Sequence, residues 1–149
     1  GWETAVAPGR ARGLALAIDY GTVVAQVVEV SVADGQIRVH KVTAAMDPGL
    51  VINPDGARAQ TEGAIIMGLS STFFEEVTIR DGRVAADNFD RYPLITMKEA
   101  PEIDVLLLES GDTPAGVGEP PIGPIAAAVA NGVYALTGQR LRRMPLRLS

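Results

Sequence analysis

At 149 residues, 47% of them hydrophobic and 21% charged, the sequence is long enough to bury a core and shows no bias towards disorder. A net charge of −5 argues against a nucleic-acid partner, which would need a surplus of Lys and Arg on one face. The lack of cysteine excludes disulfides, thiolate metal sites, iron–sulfur ligation and a cysteine nucleophile, and leaves the compartment, cytoplasmic or periplasmic, open.

Residues 1–12 read as a lead-in with neither a basic leader nor an apolar stretch at Gly1-Trp2-Glu3-Thr4. With no initiator methionine, the chain is expected to be a processed product, a cloned domain or a fragment. Two apolar runs follow, Gly13 to Tyr20 and Val23 to Ala33, with Gly21 between them. In the second, Val24, Gln26, Val28 and Val30 interleave with Ala25, Val27, Glu29 and Ser31, the period of a strand. Asp34-Gly35 tolerates the positive φ of a tight hairpin, so a strand from Gln36 to Ala45 should fold back. His40, the sole histidine, lies in that alternating run and is expected to face solvent; alone it cannot build a histidine-rich metal site.

Asp47-Pro48-Gly49 and Ile52-Asn53-Pro54-Asp55-Gly56 are concentrated breakers, and from Ala57 the spacing turns helical. Ala57, Gln60, Ala64, Met67 and Gly68 fall near one another, with Ile65, Ile66 and Leu69 on the adjacent face. The small residues Gly63, Ala64 and Gly68 fit two readings, close helix–sheet packing or room for a bulky cofactor. Glu75 to Arg80 and Arg83 to Ala86, joined by Asp81-Gly82, predict a second, short hairpin. Asn88 to Tyr92 is irregular, Pro93 to Met97 resembles an edge strand, and Ile103 to Leu108 is a strong strand.

A Gly/Pro-rich loop, Thr113 to Pro124, leads to a final helix over Ile125 to Thr137 that ends at Gly138, the usual left-handed cap. That apolar end is interrupted by Gly123, Pro124, Asn131 and Gly132 and is too short to span a membrane. The closing cluster of Arg140, Arg142, Arg143 and Arg147 reads as a solvated tail. Strands, helix, strands, helix predict a single α+β domain over 1–149, with two main helices on a mixed or mostly antiparallel sheet.

The most informative segment for chemistry is Pro114-Ala115-Gly116-Val117-Gly118-Glu119-Pro120-Pro121. Two glycines and two prolines around one carboxylate make a loop stiff on one side and bare on the other, which lets a large ligand approach the backbone. From composition, Glu119 is either such a ligand-facing carboxylate or an acidic residue at a helix start with proline in the first turn. A hydrolase built on Glu119 and Asp112 would need a nucleophile or metal site, and neither a Ser–His pairing nor a ligand cluster is evident.

Gly116-Val117-Gly118-Glu119-Pro120-Pro121 resembles the motif near the C-terminus of xanthine-oxidase-family molybdenum hydroxylases. Gln60-Thr61-Glu62-Gly63-Ala64-Ile65-Ile66-Met67-Gly68-Leu69-Ser70 resembles that family's Gln-x-Glu-Gly helix. Met46 to Pro54 and Gly21 to Val27 match as well, in the family's order. The tail, Asn131 to Arg142, resembles the isoquinoline 1-oxidoreductase and membrane-associated aldehyde dehydrogenase branch, whereas Asp19 departs from that branch's strand end.

The resemblance implies the C-terminal part of a molybdopterin-binding subunit several times longer than this chain. It implies hydroxylation of an N-heterocycle or an aldehyde with water-derived oxygen, the motif glutamate acting as base. On that reading Glu119 is the catalytic base, Gln60 lies near the pterin, and Val117 and Gly118 present backbone to the cofactor. Apolar, proline-walled surroundings would keep water from Glu119, and Glu62 would satisfy helix backbone or an arginine neighbour. No residue here ligates metal. The cofactor is expected in the complete enzyme rather than on this chain alone. Expected partners are the remainder of the molybdenum subunit, an iron–sulfur subunit and a small-molecule substrate. The competing expectation is a non-catalytic interaction or assembly domain that keeps the fold.

Overall fold

A computed structural model describes residues 2–148; Gly1 of the lead-in, and Ser149, lie outside them. Three long strands open the chain, β1 (Arg10–Asp19), β2 (Thr22–Ala33) and β3 (Gln36–Asp47), followed by helix α1 (Pro54–Phe73). Two short strands, β4 (Ile79–Arg80) and β5 (Arg83–Val84), precede β6 (Glu102–Leu107) and the last helix, α2 (Gly123–Thr137). The main sheet has the order β1-β2-β3-β6, antiparallel except for the parallel β3–β6 pair, while β4 and β5 pair separately. This is the expected α+β arrangement with a mixed sheet.

Both predicted Asp-Gly turns form, and Tyr20-Gly21 makes a third of the same kind. Each has positive φ at both central residues (47° and 78° at Tyr20-Gly21, 52° and 73° at Asp34-Gly35, 49° and 74° at Asp81-Gly82). Those dihedrals match the right-handed twist of the flanking strands. Along β2, Thr22, Val24, Gln26, Val28 and Val30 are all fully buried, and the residues between them are not. That face, with Val42, Ala44 and Met46 of β3, packs beneath Ile65 and Leu69 of α1 and Ile125, Val129 and Val133 of α2. The opposite face of β1 is open, Ile18 being 70% exposed.

Missing side chains set how close the layers come. A Cβ on Gly13 of β1 would lie 2.0 Å from the Ala128 carbonyl oxygen of α2. A Cβ on Gly68 of α1 would lie 2.5 Å from Ile125 Cγ2 and 3.1 Å from the Ile122 carbonyl oxygen. Gly68 is therefore a packing glycine, and it packs against a helix rather than the sheet. Gly63 has no atom within 4 Å of a would-be Cβ, so it leaves open space above α1.

Pro93 to Met97 is not an edge strand. The Ile95 amide donates to Ser70 Oγ, and Thr96 turns the chain through bonds to Glu99, so the backbone groups needed for a ladder are engaged elsewhere. The place beside β3 goes to β6. Asn88 to Tyr92 contains one 3₁₀ turn, Phe89–Arg91, with Asn88 bonding the Phe89 amide at its start.

Candidate cofactor-facing site

Three segments singled out in the sequence meet at one end of the sheet, where β2 begins and β3 ends. The loop after β6 is laced to them by backbone bonds. Leu50 N–H donates to the Asp112 carbonyl (3.0 Å), and Ala115 N–H donates to the Pro48 carbonyl (2.9 Å). Two β2 side chains reach the same loop: Thr22 Oγ1 donates to the Gly116 carbonyl at 2.5 Å, and Gln26 Nε2 donates to the Pro121 carbonyl at 2.6 Å. Proline at 120 and 121 removes two amide donors, so side chains and turns must order this stretch.

Asp47 anchors the neighbouring turn. One of its oxygens accepts from the Gly49 amide (3.1 Å) and from the Ser110 hydroxyl (3.0 Å). The Gly49 amide above all, with the Ser110 hydroxyl and amide, holds the Asp47 carboxyl below the usual aspartate range. Gly49 has φ of 74°, and a Cβ there would lie 2.4 Å from the Thr113 carbonyl oxygen, so only glycine lets the two loops touch.

Between these loops and the N-terminus of α1 lies a hollow of about 280 Å³. Pro48, Ile52, Gly56, Ala115 and Val117 are among the residues that line it. Val117 thus joins the turn before α1, as the motif order suggests. Gly118 has open space where a Cβ would stand. Glu119 sits in the turn ahead of α2, its carbonyl accepting from the Ile122 amide (2.9 Å), four residues before the first helical residue.

The Glu119 side chain is exposed, which corrects the expectation that the apolar loop walls it off from water: within this chain Pro120 and Pro121 are buried and the carboxylate is not. Gln60 is on the exposed side of α1, one turn beyond Gly56, and makes no contact with the Glu119 loop among the bonds of the described residues. Among the described residues, neither the Gln60 amide nor the Glu119 carboxylate has a hydrogen-bond or ion-pair partner. Glu62 is exposed, and among the described residues no arginine pairs with it. The nearby cation, Arg58, instead donates to the Val105 carbonyl at 2.6 Å, tying α1 to β6.

A Ser–His contact does exist, unseen in the sequence because a bulge creates it. The β2–β3 register shifts between Glu29 and Val30, which sets His40 Nε2 2.7 Å from Ser31 Oγ. Partial burial, then the charges of Arg10 and Arg38, lower the His40 pKa, while Glu29 acts against them. Among the described residues no carboxylate bonds its other ring nitrogen and no group of His, Cys, Asp and Glu could hold a metal ion. Asp112 serves the loop, its carboxylate accepting from the Ser110 hydroxyl (3.4 Å). In the tail, Arg140 lies 3.4 Å over the Tyr134 ring and Arg143 is 3.8 Å from Glu76.

The profile of the molybdopterin cofactor-binding domain matches residues 4–101. The chain belongs to that family. The match takes in Gln60 and the α1 motif, and similarity to whole proteins carries on through the Glu119 loop. The chain is 38% identical over 141 residues to the isoquinoline 1-oxidoreductase subunit beta of Brevundimonas diminuta, covering 93% of this chain and 18% of that one. It is 38% identical over 120 residues to the membrane-bound aldehyde dehydrogenase [pyrroloquinoline-quinone] of Gluconacetobacter polyoxogenes, covering 80% and 16%. The fold superposes on quinoline 2-oxidoreductase of Pseudomonas putida with a TM-score of 0.72 and 26% identity, over 83% of this chain and 17% of that one. This molybdopterin-binding domain thus spans less than a fifth of the length of the relatives it matches. Among its described residues no helix is long and apolar enough to cross a membrane.

Proposed function

We propose that this domain forms part of the molybdopterin-binding subunit of a xanthine-oxidase-family hydroxylase, and that it supplies Glu119 as the active-site base. The observation that carries the reading is the tethering of the Glu119 turn to two other motif segments, the start of β2 and the turn before α1, while its carboxylate stays exposed and bonds none of the described residues. A surface carboxylate with only a capping or packing task has no use for such a scaffold.

The residues present fit a large pterin group. Open space stands over Gly118 and Gly63, and the Gln60 amide is exposed with no partner among the described residues. Gln60 would hold the pterin, and Val117 and Gly118 would offer backbone to it. When bound, the molybdenum–pterin group supplies the redox centre for oxidising an N-heterocycle or an aldehyde with water-derived oxygen. Glu119 takes the proton from the oxygen nucleophile, at a carboxylate oxygen that none of the described residues bonds. Exclusion of water from Glu119 falls to the rest of the subunit. An iron–sulfur centre to carry electrons away would be held outside these residues, which include no cysteine.

The test is Glu119→Gln in the assembled enzyme, with molybdenum and pterin content measured alongside turnover. A general base is worth roughly 10²–10⁴-fold, so turnover should collapse by that order with cofactor content unchanged. Near-normal turnover would support the interaction-domain reading instead.

A further inference from the structure

We infer that Thr22 and Gln26 are positioning residues that hold the Glu119 turn against β2, an inference that rests on the reading of Glu119 as base. Both lie on the buried face of β2, at two of five alternating positions otherwise filled by valine, and both are fully buried. Four residues along a strand span roughly 13 Å, and the two side chains use that span to grip the loop at both ends. Thr22 holds the Gly116 carbonyl three residues before Glu119, and Gln26 holds the Pro121 carbonyl two residues after it.

Stability alone gives no reason for an amide at position 26. Gln26 Oε1 is buried and has no hydrogen-bond partner among the described residues, so the side chain carries a desolvation cost that an apolar residue of similar size would avoid. What the amide contributes and an apolar residue cannot is the Nε2–H donated to Pro121, at a point where Pro120 and Pro121 have no amide hydrogens of their own. Thr22 differs from valine by one hydroxyl, and that hydroxyl is the group that reaches Gly116. The two bonds leave the backbone of Val117 to Glu119 suspended between fixed points, which sets the direction of the carboxylate without touching it.

The test uses Gln26→Met and Thr22→Val, near-isosteric changes that remove the polar groups making the two bonds. Amide hydrogen exchange on the 149-residue chain should show Gly116 to Ile122 exchanging about tenfold faster, with α1 and β3 unchanged. Thr22→Ser should restore the protection. In the assembled enzyme each variant should lower kcat by up to about a hundredfold while KM stays within about twofold, because the carboxylate is misplaced and the pocket kept. Unchanged loop exchange, or a rise spread evenly over the fold, would overturn the inference. So would a loosened loop with normal kcat in an enzyme whose Glu119→Gln variant is dead. An active Glu119→Gln enzyme would instead sink the base reading, and the exchange data would still decide whether β2 pins the loop.

Discussion

Gly35 and Gly49 have almost the same backbone, φ of 73° and 74°, at opposite ends of β3. Around Gly35 there is no atom within 4 Å of a would-be Cβ, while at Gly49 that Cβ would be driven into the Thr113 and Asp112 carbonyl oxygens. One glycine serves a turn and nothing more. The other serves a turn and a junction between two loops. The same dihedral angle therefore marks local geometry at one end of the sheet and tertiary assembly at the other, and the Glu119 loop lies at the assembled end.

Replacing each glycine by alanine should separate the two cases. Gly49→Ala combines left-handed strain with a backbone clash and should cost about 3 kcal/mol or more by chemical unfolding. Gly35→Ala has the strain alone and should cost about 1 kcal/mol. Equal losses would break the comparison. A smaller effect probes the junction's charge. Because hydrogen bonds hold the Asp47 carboxyl below the ordinary aspartate value, its contribution is present above that value and lost as pH falls through the lowered folded one. The Gly49 amide resonance should titrate with a midpoint below about 3.9, and Asp47→Asn should abolish the transition; a midpoint at or above it would contradict the bonding pattern.

The smallest effect belongs to Lys41, midway along β3, which bridges to Glu102 (2.9 Å) and Asp104 (2.5 Å) of β6. Asp104, then Glu102, raises its pKa above the ordinary lysine range, so the pair stabilises at neutral pH and its contribution is lost only as pH climbs through that raised value. All three groups are partly in water, so Lys41→Ala should lower Tm slightly at low salt and hardly at all at about 1 M. A salt-independent loss would mean that the lysine stem, not its charge, matters.

Features set by neighbours in the chain were legible from the start. The alternation of β2, the Asp-Gly turns and the Gly138 cap depend on a few adjacent residues, and each forms where expected. Features set by distant partners were not. Pro93 to Met97 has the composition of an edge strand, but Ser70 captures its backbone from α1. Gly68 fits helix–sheet packing or room for a cofactor in sequence, and nothing in its own segment reveals that α2 crosses there. At the proposed site, Glu119, Val117, Gly118 and Gln60 could be picked out by motif, whereas the matching segment Gly21 to Val27 contains Thr22 and Gln26 without marking what they hold. The one signal for them was polar residues on a buried valine stripe, and its meaning needed the loop some 95 positions later.

The parallel strand β6 has a consequence for how the molecule assembles. β1, β2 and β3 join through two-residue turns and can pair while the chain is still short. β6 reaches β3 only after everything from Pro48 to Pro101 has been set aside, α1 included, and the Glu119 loop follows β6. Non-local pairing of this sort is slow because loop closure must precede any gain from contact. The meander and its helix are therefore expected to form first, and the segment that bears the carboxylate to settle last, on a surface already built to receive it.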